Sequence, residues 1–213
     1  MIKEIAGIVL PDTKLSKEAT ELVREVSPAP IFNHVLRSYL FGASIGNRMN
    51  KKYDAELLYL SAIMHDLGVV ERFIGEARFE IDGADAAADF LTKHQYPAEK
   101  ISIAWDAIAL HTSIEIAARK EPEVALLHFG TFRDAGFILD DTLPPSFMEE
   151  VYEAVPQLGI EQAFTAALAE VLRRKPHTAY LTFLAEIVNE HVHDDVHPNA
   201  CDHFPWKPHD KKL

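Results

Sequence analysis

Imidazole and carboxylate side chains are the natural ligands of borderline and hard divalent metals. Three separated places in this chain carry them: His34, the adjacent pair His65-Asp66, and Asp134. The pair stands in SAIMHDLG, where an apolar stretch ends in two metal-capable side chains, with Gly68 just beyond to close the turn. A buried carboxylate without a partner there would be costly, which favours a cation beside it. His34 lies in IFNHVLRSYLFG and shares a helical face with Arg37 and Phe41. Asp134 lies in HFGTFRDAGF, where Gly130 and Thr131 one turn earlier are small enough to leave room for a metal and its water. A His-Asp dipeptide taken alone is common and carries little information; the three places together carry more.

In this order the residues resemble the HD-domain metal-dependent hydrolase superfamily, whose motif is a histidine, a later His-Asp, and a distal aspartate. More narrowly, NHVLRSYLFG, AIMHDLG, RFEIDGADAA and AWDAIALHTS look like the corresponding blocks of its cyanamide hydratase-like branch, over a core of about residues 32–137. The resemblance implies His34, His65, Asp66 and Asp134 as metal ligands. It also implies a hydro-lyase that adds water to cyanamide, or a related small nitrile-like compound, to give urea. FGTFRDAG has threonine where the superfamily's aspartate usually falls, so an outer role for Asp134 stays open. Two-metal members carry further histidines, whereas this chain offers Glu80, Asp82 and a single His111 followed by Thr112. One divalent metal is therefore expected, zinc ahead of iron or manganese, with an open position where water is activated as hydroxide for attack on the nitrile carbon. No organic cofactor is needed, because nothing is oxidised.

Proton transfer falls to His111 first, since imidazole both accepts and donates near neutral pH, and then to Glu80 and Asp82. Each has a structural alternative: His111 as a hydrogen-bonded core histidine, Glu80 as a solvated charge, and Asp82 as a cap for the helix of GADAAADF. Arg37, Phe41 and Phe79 are the expected substrate-binding residues. The rival enzymatic reading is a phosphohydrolase acting on a nucleotide or phosphate monoester, for which Arg37, Arg72, Arg78 and Arg133 would supply the cations. A third reading is a non-catalytic binding protein stabilised by its metal, its coordination sphere closed by protein ligands.

Helical periodicity must position these groups. Leu15, Ala19, Leu22, Val23 and Val26 recur on one face after Thr13 or Ser16 as a cap, and Pro28 and Pro30 end the segment. Similar patterns predict helices at about 33–49, 54–66, 84–94, 98–111, 121–135, 146–154, 161–173 and 178–192. No strand is predicted, because alternating valine-rich segments and paired hairpin turns are missing. The fold class is all-α: a single helical domain over residues 1–192 with the metal site between helices, followed by a His-rich tail at 193–213. Five of the 11 histidines, His191, His193, His197, His203 and His209, lie in or beside that tail with Cys201, but their spacing matches no zinc-finger arrangement. Phe164, Leu168, Val171 and Leu172 read as a packing stripe.

Composition narrows the partners. With 33 acidic against 21 basic residues and a net charge of −12, the chain repels phosphate backbones, and nucleic acid is not an expected partner. No apolar run reaches the ~18–20 residues of a spanning helix, so no membrane partner is expected either. MIKEIAGIVLPDTK interrupts its apolar stretch with charge and does not read as a secretory signal, and a lone cysteine suits a reducing, cytoplasmic location. The expected partner is a small-molecule substrate; a homo-oligomer is compatible with the sequence, which shows no self-complementary surface.

Overall fold

The structure is a computed structural model and describes residues 4–137 and 143–192. The chain divides into two compact units, residues 1–164 and 165–213. Residues 193–213, and with them the His-rich tail with His193, His197, Cys201, His203 and His209, lie outside the described residues.

The first unit is helical, as its periodicity predicts. Its helices are α1 (Lys14–Val26), α2 (Ala29–Arg48), α3 (Ala55–Met64), α4 (Phe79–Lys93), α5 (Ala98–Ala109), α6 (Pro122–Asp134) and α7 (Pro145–Ala154). The division falls within α8 (Ile160–Arg174), and the second unit continues to α9 (Leu184–His191). Thr13 caps α1 by accepting from the Ser16 amide, and Asp54 caps α3 by accepting from the amides of Glu56 and Leu57. Within the second unit the end of α8 buries Leu168, Val171 and Leu172, and α9 buries Leu184 and Val188. Among the described residues no helix is long and apolar enough to cross a membrane.

Four boundaries differ from the periodicity, one of them in the second unit, where α9 begins at Leu184 instead of near residue 178 because Pro176–Ala179 forms a separate 3-10 turn. Glu4–Ile5 and Ile8–Val9 form strands β1 and β2 of a minimal antiparallel hairpin, which the expectation of no strand missed. Two residues per strand are too few to show alternation; the signal is the turn, where Ala6 and Gly7 both take positive φ, 49° and 77°. Helix α2 begins at Ala29 because Pro30, taken as a stop, is tolerated in a first turn whose amides have no helical partner. Helix α4 begins at Phe79 instead of near residue 84, since Asp82-Gly83 is not a breaker but lies inside it. A Cβ at Gly83 would sit 3.0 Å from the His65 carbonyl and 3.1 Å from the Gly68 amide, so close packing explains this glycine better than a turn does.

Helix α3 is buried over all of Leu57–Met64 and packs against α1, α2, α5 and α6. A helix apolar on every side must be central, and this one delivers His65 and Asp66 from its C-terminal end into the interior. Helices α2 and α6, which bring His34 and Asp134, approach through glycine: a Cβ at Gly130 would meet the Ser38 carbonyl at 2.0 Å, and one at Gly42 the Leu126 carbonyl at 2.5 Å. The Gly130→Ala variant is therefore expected to lose about 1–3 kcal/mol of stability, or more, because backbone cannot yield as a side chain can. The measurement is the urea midpoint, and an unchanged midpoint would refute the close approach of α2 and α6.

Candidate metal centre

His65 and Asp66 follow the last residue of α3, and His34 faces them from α2; exposure is 0 % for His65, 2 % for Asp66 and 5 % for His34. The protonation pattern of the rings follows from their partners. The carbonyl of Ala62 can only accept, so His65 Nδ1 donates to it at 2.8 Å and Nε2 is turned inward. His34 Nδ1 donates to Asp134 Oδ2 at 2.6 Å, which likewise turns its Nε2 inward. Asp66 Oδ2 then lies 3.2 Å from His65 Nε2 and 3.5 Å from His34 Nε2. The 3.2 Å approach lacks the alignment of a hydrogen bond, and His65 Nε2 and both Asp66 oxygens have no hydrogen-bond partner among the described residues.

Lone-pair atoms therefore converge on one buried point. The ligand atoms of His34, His65 and Asp66 all lie within 4.8 Å of one another. Donors sharing one ion at ~2.0–2.2 Å are at most about 4.4 Å apart, so the two Asp66–imidazole separations fit a common metal. The orphaned atoms and the nitrogen-oxygen donor set agree with this, and the cluster could hold a divalent ion.

Electrostatics follow the same geometry. Burial pushes the Asp66 carboxyl up, but the imidazoles of His65, His34 and His111 outweigh it and hold the group far below the usual carboxylate range. Burial works against the charged form of His65, and Asp66 reverses the balance and raises it. His111, whose Nε2 is 4.0 Å from Asp66 Oδ1, is pushed down to about 4, by burial first and then by His65. Its Nδ1 donates to the Ile108 carbonyl at 2.6 Å, so its Nε2 is free of a proton at neutral pH.

Asp134, expected as a ligand, reaches the centre with both oxygens already accepting hydrogen bonds: Oδ1 from Arg37 Nε at 2.6 Å, Oδ2 from Arg37 Nη2 at 2.7 Å and from His34 Nδ1. Burial opposes its charge, while His34 and Arg37 outweigh burial and hold its carboxyl below the ordinary range. It is not among the residues whose ligand atoms converge. Arg37, read from the sequence as substrate-binding, is fully buried, and its Nη1 donates to the Val155 and Pro156 carbonyls at 3.3 and 2.9 Å.

The other expected residues divide. The Phe79 ring lies 5.6 Å from His111 and 6.4 Å from Phe164, which itself lies 5.9 Å from His34, so these two rings wall the imidazoles. Phe41 instead packs on Phe147 and Tyr152. Glu80 is buried, paired with Arg78, and accepts from Thr112 Oγ1 at 2.7 Å; these partners and His111 keep its carboxyl below the ordinary range against its burial. Asp82 holds the preceding loop by accepting from the amides of Gly75 and Ala77, and it faces a groove of about 520 Å³ that contains none of the metal-capable histidines. It is not the cap of its helix, because α4 begins three residues earlier.

Two residues that support the centre, one lining it and one behind it, were not singled out for it by sequence reasoning. Phe164, read as packing, is 130 positions from His34 and nothing local signals their contact. His128 is buried on α6 and donates from Nδ1 to the His111 carbonyl at 2.8 Å, fixing the backbone of the proton-transfer candidate. Its one available signal was a polar residue on an otherwise apolar helical face.

Residues 31–135 match the family model of the HD domain, which supports placing the chain in the HD superfamily. A search of curated proteins finds no match to the chain. The matched segment contains His34, His65, Asp66 and Asp134. Purified protein stripped of metal is expected to take up about one equivalent of a divalent metal, and His65→Ala and Asp66→Ala to lose that uptake while staying folded. Elemental analysis after dialysis checks this, and undiminished metal in either variant would remove the cluster from consideration.

Proposed function

We propose, from residues 31–135 as an HD domain, that this chain is a metal-dependent enzyme that adds water to a small neutral nitrile-like compound, with cyanamide as substrate and urea as product. The observation that carries the reading is the buried convergence of His34, His65 and Asp66, with His65 Nε2 and both Asp66 oxygens lacking a hydrogen-bond partner among the described residues. His34 Nε2, His65 Nε2 and an Asp66 oxygen would hold the metal, zinc ahead of iron or manganese. A divalent ion held there would supply Lewis acidity and make water a stronger acid near neutral pH.

The chain's own residues supply the rest. His111 Nε2, proton-free and 4.0 Å from Asp66, accepts a proton from the attacking water and returns it to the nitrile nitrogen. The carbon gains the oxygen, the nitrogen gains the proton, and the resulting isourea tautomerises to urea, so atoms balance without a redox partner. Phe79 and Phe164 keep bulk water from the imidazoles. Glu80, through Thr112, steadies the turn that carries His111.

Charge supports a neutral substrate over a phosphate. Phosphoryl groups are held by uncommitted Arg or Lys side chains, whereas Arg37 is clamped on Asp134 and Arg78 on Glu80. The net charge of −12 adds a repulsive background for anions.

Turnover on metal-analysed protein tests the assignment, with cyanamide in one series and nucleotides and phosphate monoesters in the other. Urea formation is expected to vanish on chelation, to return with zinc, and to fall about 10²–10⁴-fold in kcat for His111→Ala. Metal-dependent phosphate release without urea would transfer the protein to the phosphohydrolase reading. Silence in both series with a full metal complement would leave a binding protein.

A further inference from the structure

The structure assigns Arg37 as a positioning residue: it fixes the Asp134 carboxylate against His34 Nδ1, and so aims His34 Nε2 at the metal position. The inference rests on the metal reading of His34, His65 and Asp66. Arg37 lies one helical turn after His34 on α2 and is completely buried. Its Nε and Nη2 make the planar two-point fork on the two Asp134 oxygens, at 2.6 and 2.7 Å, that an ammonium group cannot reproduce. Its Nη1 points the other way, to the carbonyls of Val155 and Pro156.

The far end is anchored too. The Pro156 carbonyl also accepts from Asn33 Nδ2 at 2.7 Å, so Asn33 and Arg37 bind the chain after α7 from both sides of His34. The guanidinium is held on two edges and transmits that fixity to Asp134. Asp134 Oδ2 takes one hydrogen bond from Arg37 and one from His34, which holds the imidazole with its proton on Nδ1 and its lone pair on Nε2. With four of its five N–H donors committed and the side chain fully buried, this arginine is occupied within the fold, which separates this role from the binding role that its sequence position suggests.

Coulomb's law and positioning predict opposite signs. Removing a positive charge near a cation site should by itself tighten metal binding, whereas removing the clamp should weaken it. The test uses full-length zinc-free protein and titrates zinc against a chromophoric chelator, with thermal unfolding recorded alongside. Arg37→Met is expected to weaken zinc binding about 10–100-fold, as loss of a ligand's hydrogen-bond partner does. Asp134→Ala should weaken it by the same order, and the double variant should fall within about threefold of Asp134→Ala, because Arg37 acts only through Asp134.

Arg37→Met leaves the buried Asp134 carboxylate without its cationic partner, with only the His34 hydrogen bond remaining, and risks unfolding. The double variant removes both charges, and its comparison with Asp134→Ala and wild type then decides the matter. Unchanged or tighter zinc binding in Arg37→Met, or a double variant whose loss multiplies the two single losses, overturns the positioning role. His65→Ala separates the two levels: if it binds zinc as wild type does, the metal reading itself has failed and the inference with it. If it loses zinc while Arg37→Met does not, the positioning role alone has failed.

Discussion

Asp66 places an ionised carboxylate in the interior, at 2 % exposure, with neither oxygen hydrogen-bonded among the described residues. A charge taken from water in this way costs several kcal/mol unless opposite charge or ligation compensates it. Compensation here comes from the three imidazoles of His34, His65 and His111, each fixed through Nδ1 to a carboxylate or carbonyl so that Nε2 faces inward. The arrangement is self-consistent only if something electropositive, a proton or a metal ion, lies between the lone pairs. Much of the surrounding fold can be understood as the framework that keeps these lone pairs together.

That framework depends on close backbone approach. Gly42 and Gly130 let α2 and α6 touch, which brings the Arg37–Asp134 fork into the same buried volume as His34. Gly68 and Gly83 do the same between the turn after Asp66 and α4, which brings Phe79 and Glu80 beside His111. Small residues at these crossings are geometric requirements, and the ionisable groups depend on them.

The charge pattern inside the first unit also bears on chemistry. The arginines that the fold places beside the centre each face a carboxylate, Arg37 with Asp134 and Arg78 with Glu80, so the local charges are largely neutralised before any substrate arrives. What remains is three imidazoles, the Asp66 carboxylate and two aromatic walls. The proposed addition of water to a small uncharged molecule rests on this environment.

The sequence by itself determined the helical class, because apolar spacing of 3.6 residues is a local property that survives without knowledge of any contact. It also brought His34, His65, Asp66 and His111 to attention, since side-chain chemistry is written in residue identity. Local pattern went wrong where a residue's meaning lies across the fold. Asp82-Gly83 looked like a helix breaker but is an interior packing site, Pro30 looked like a stop but opens α2, and two-residue strands at Glu4–Ile5 and Ile8–Val9 were too short for any periodicity. The tertiary structure alone decided who faces whom. The engagement of both Asp134 oxygens, the commitment of Arg37 to them, and the contact of Phe164 with His34 join residues about 100 or more positions apart. The reason is physical: hydrogen bonds and ring contacts depend on separations of a few ångströms in space, and helical periodicity specifies a buried face without naming its partner.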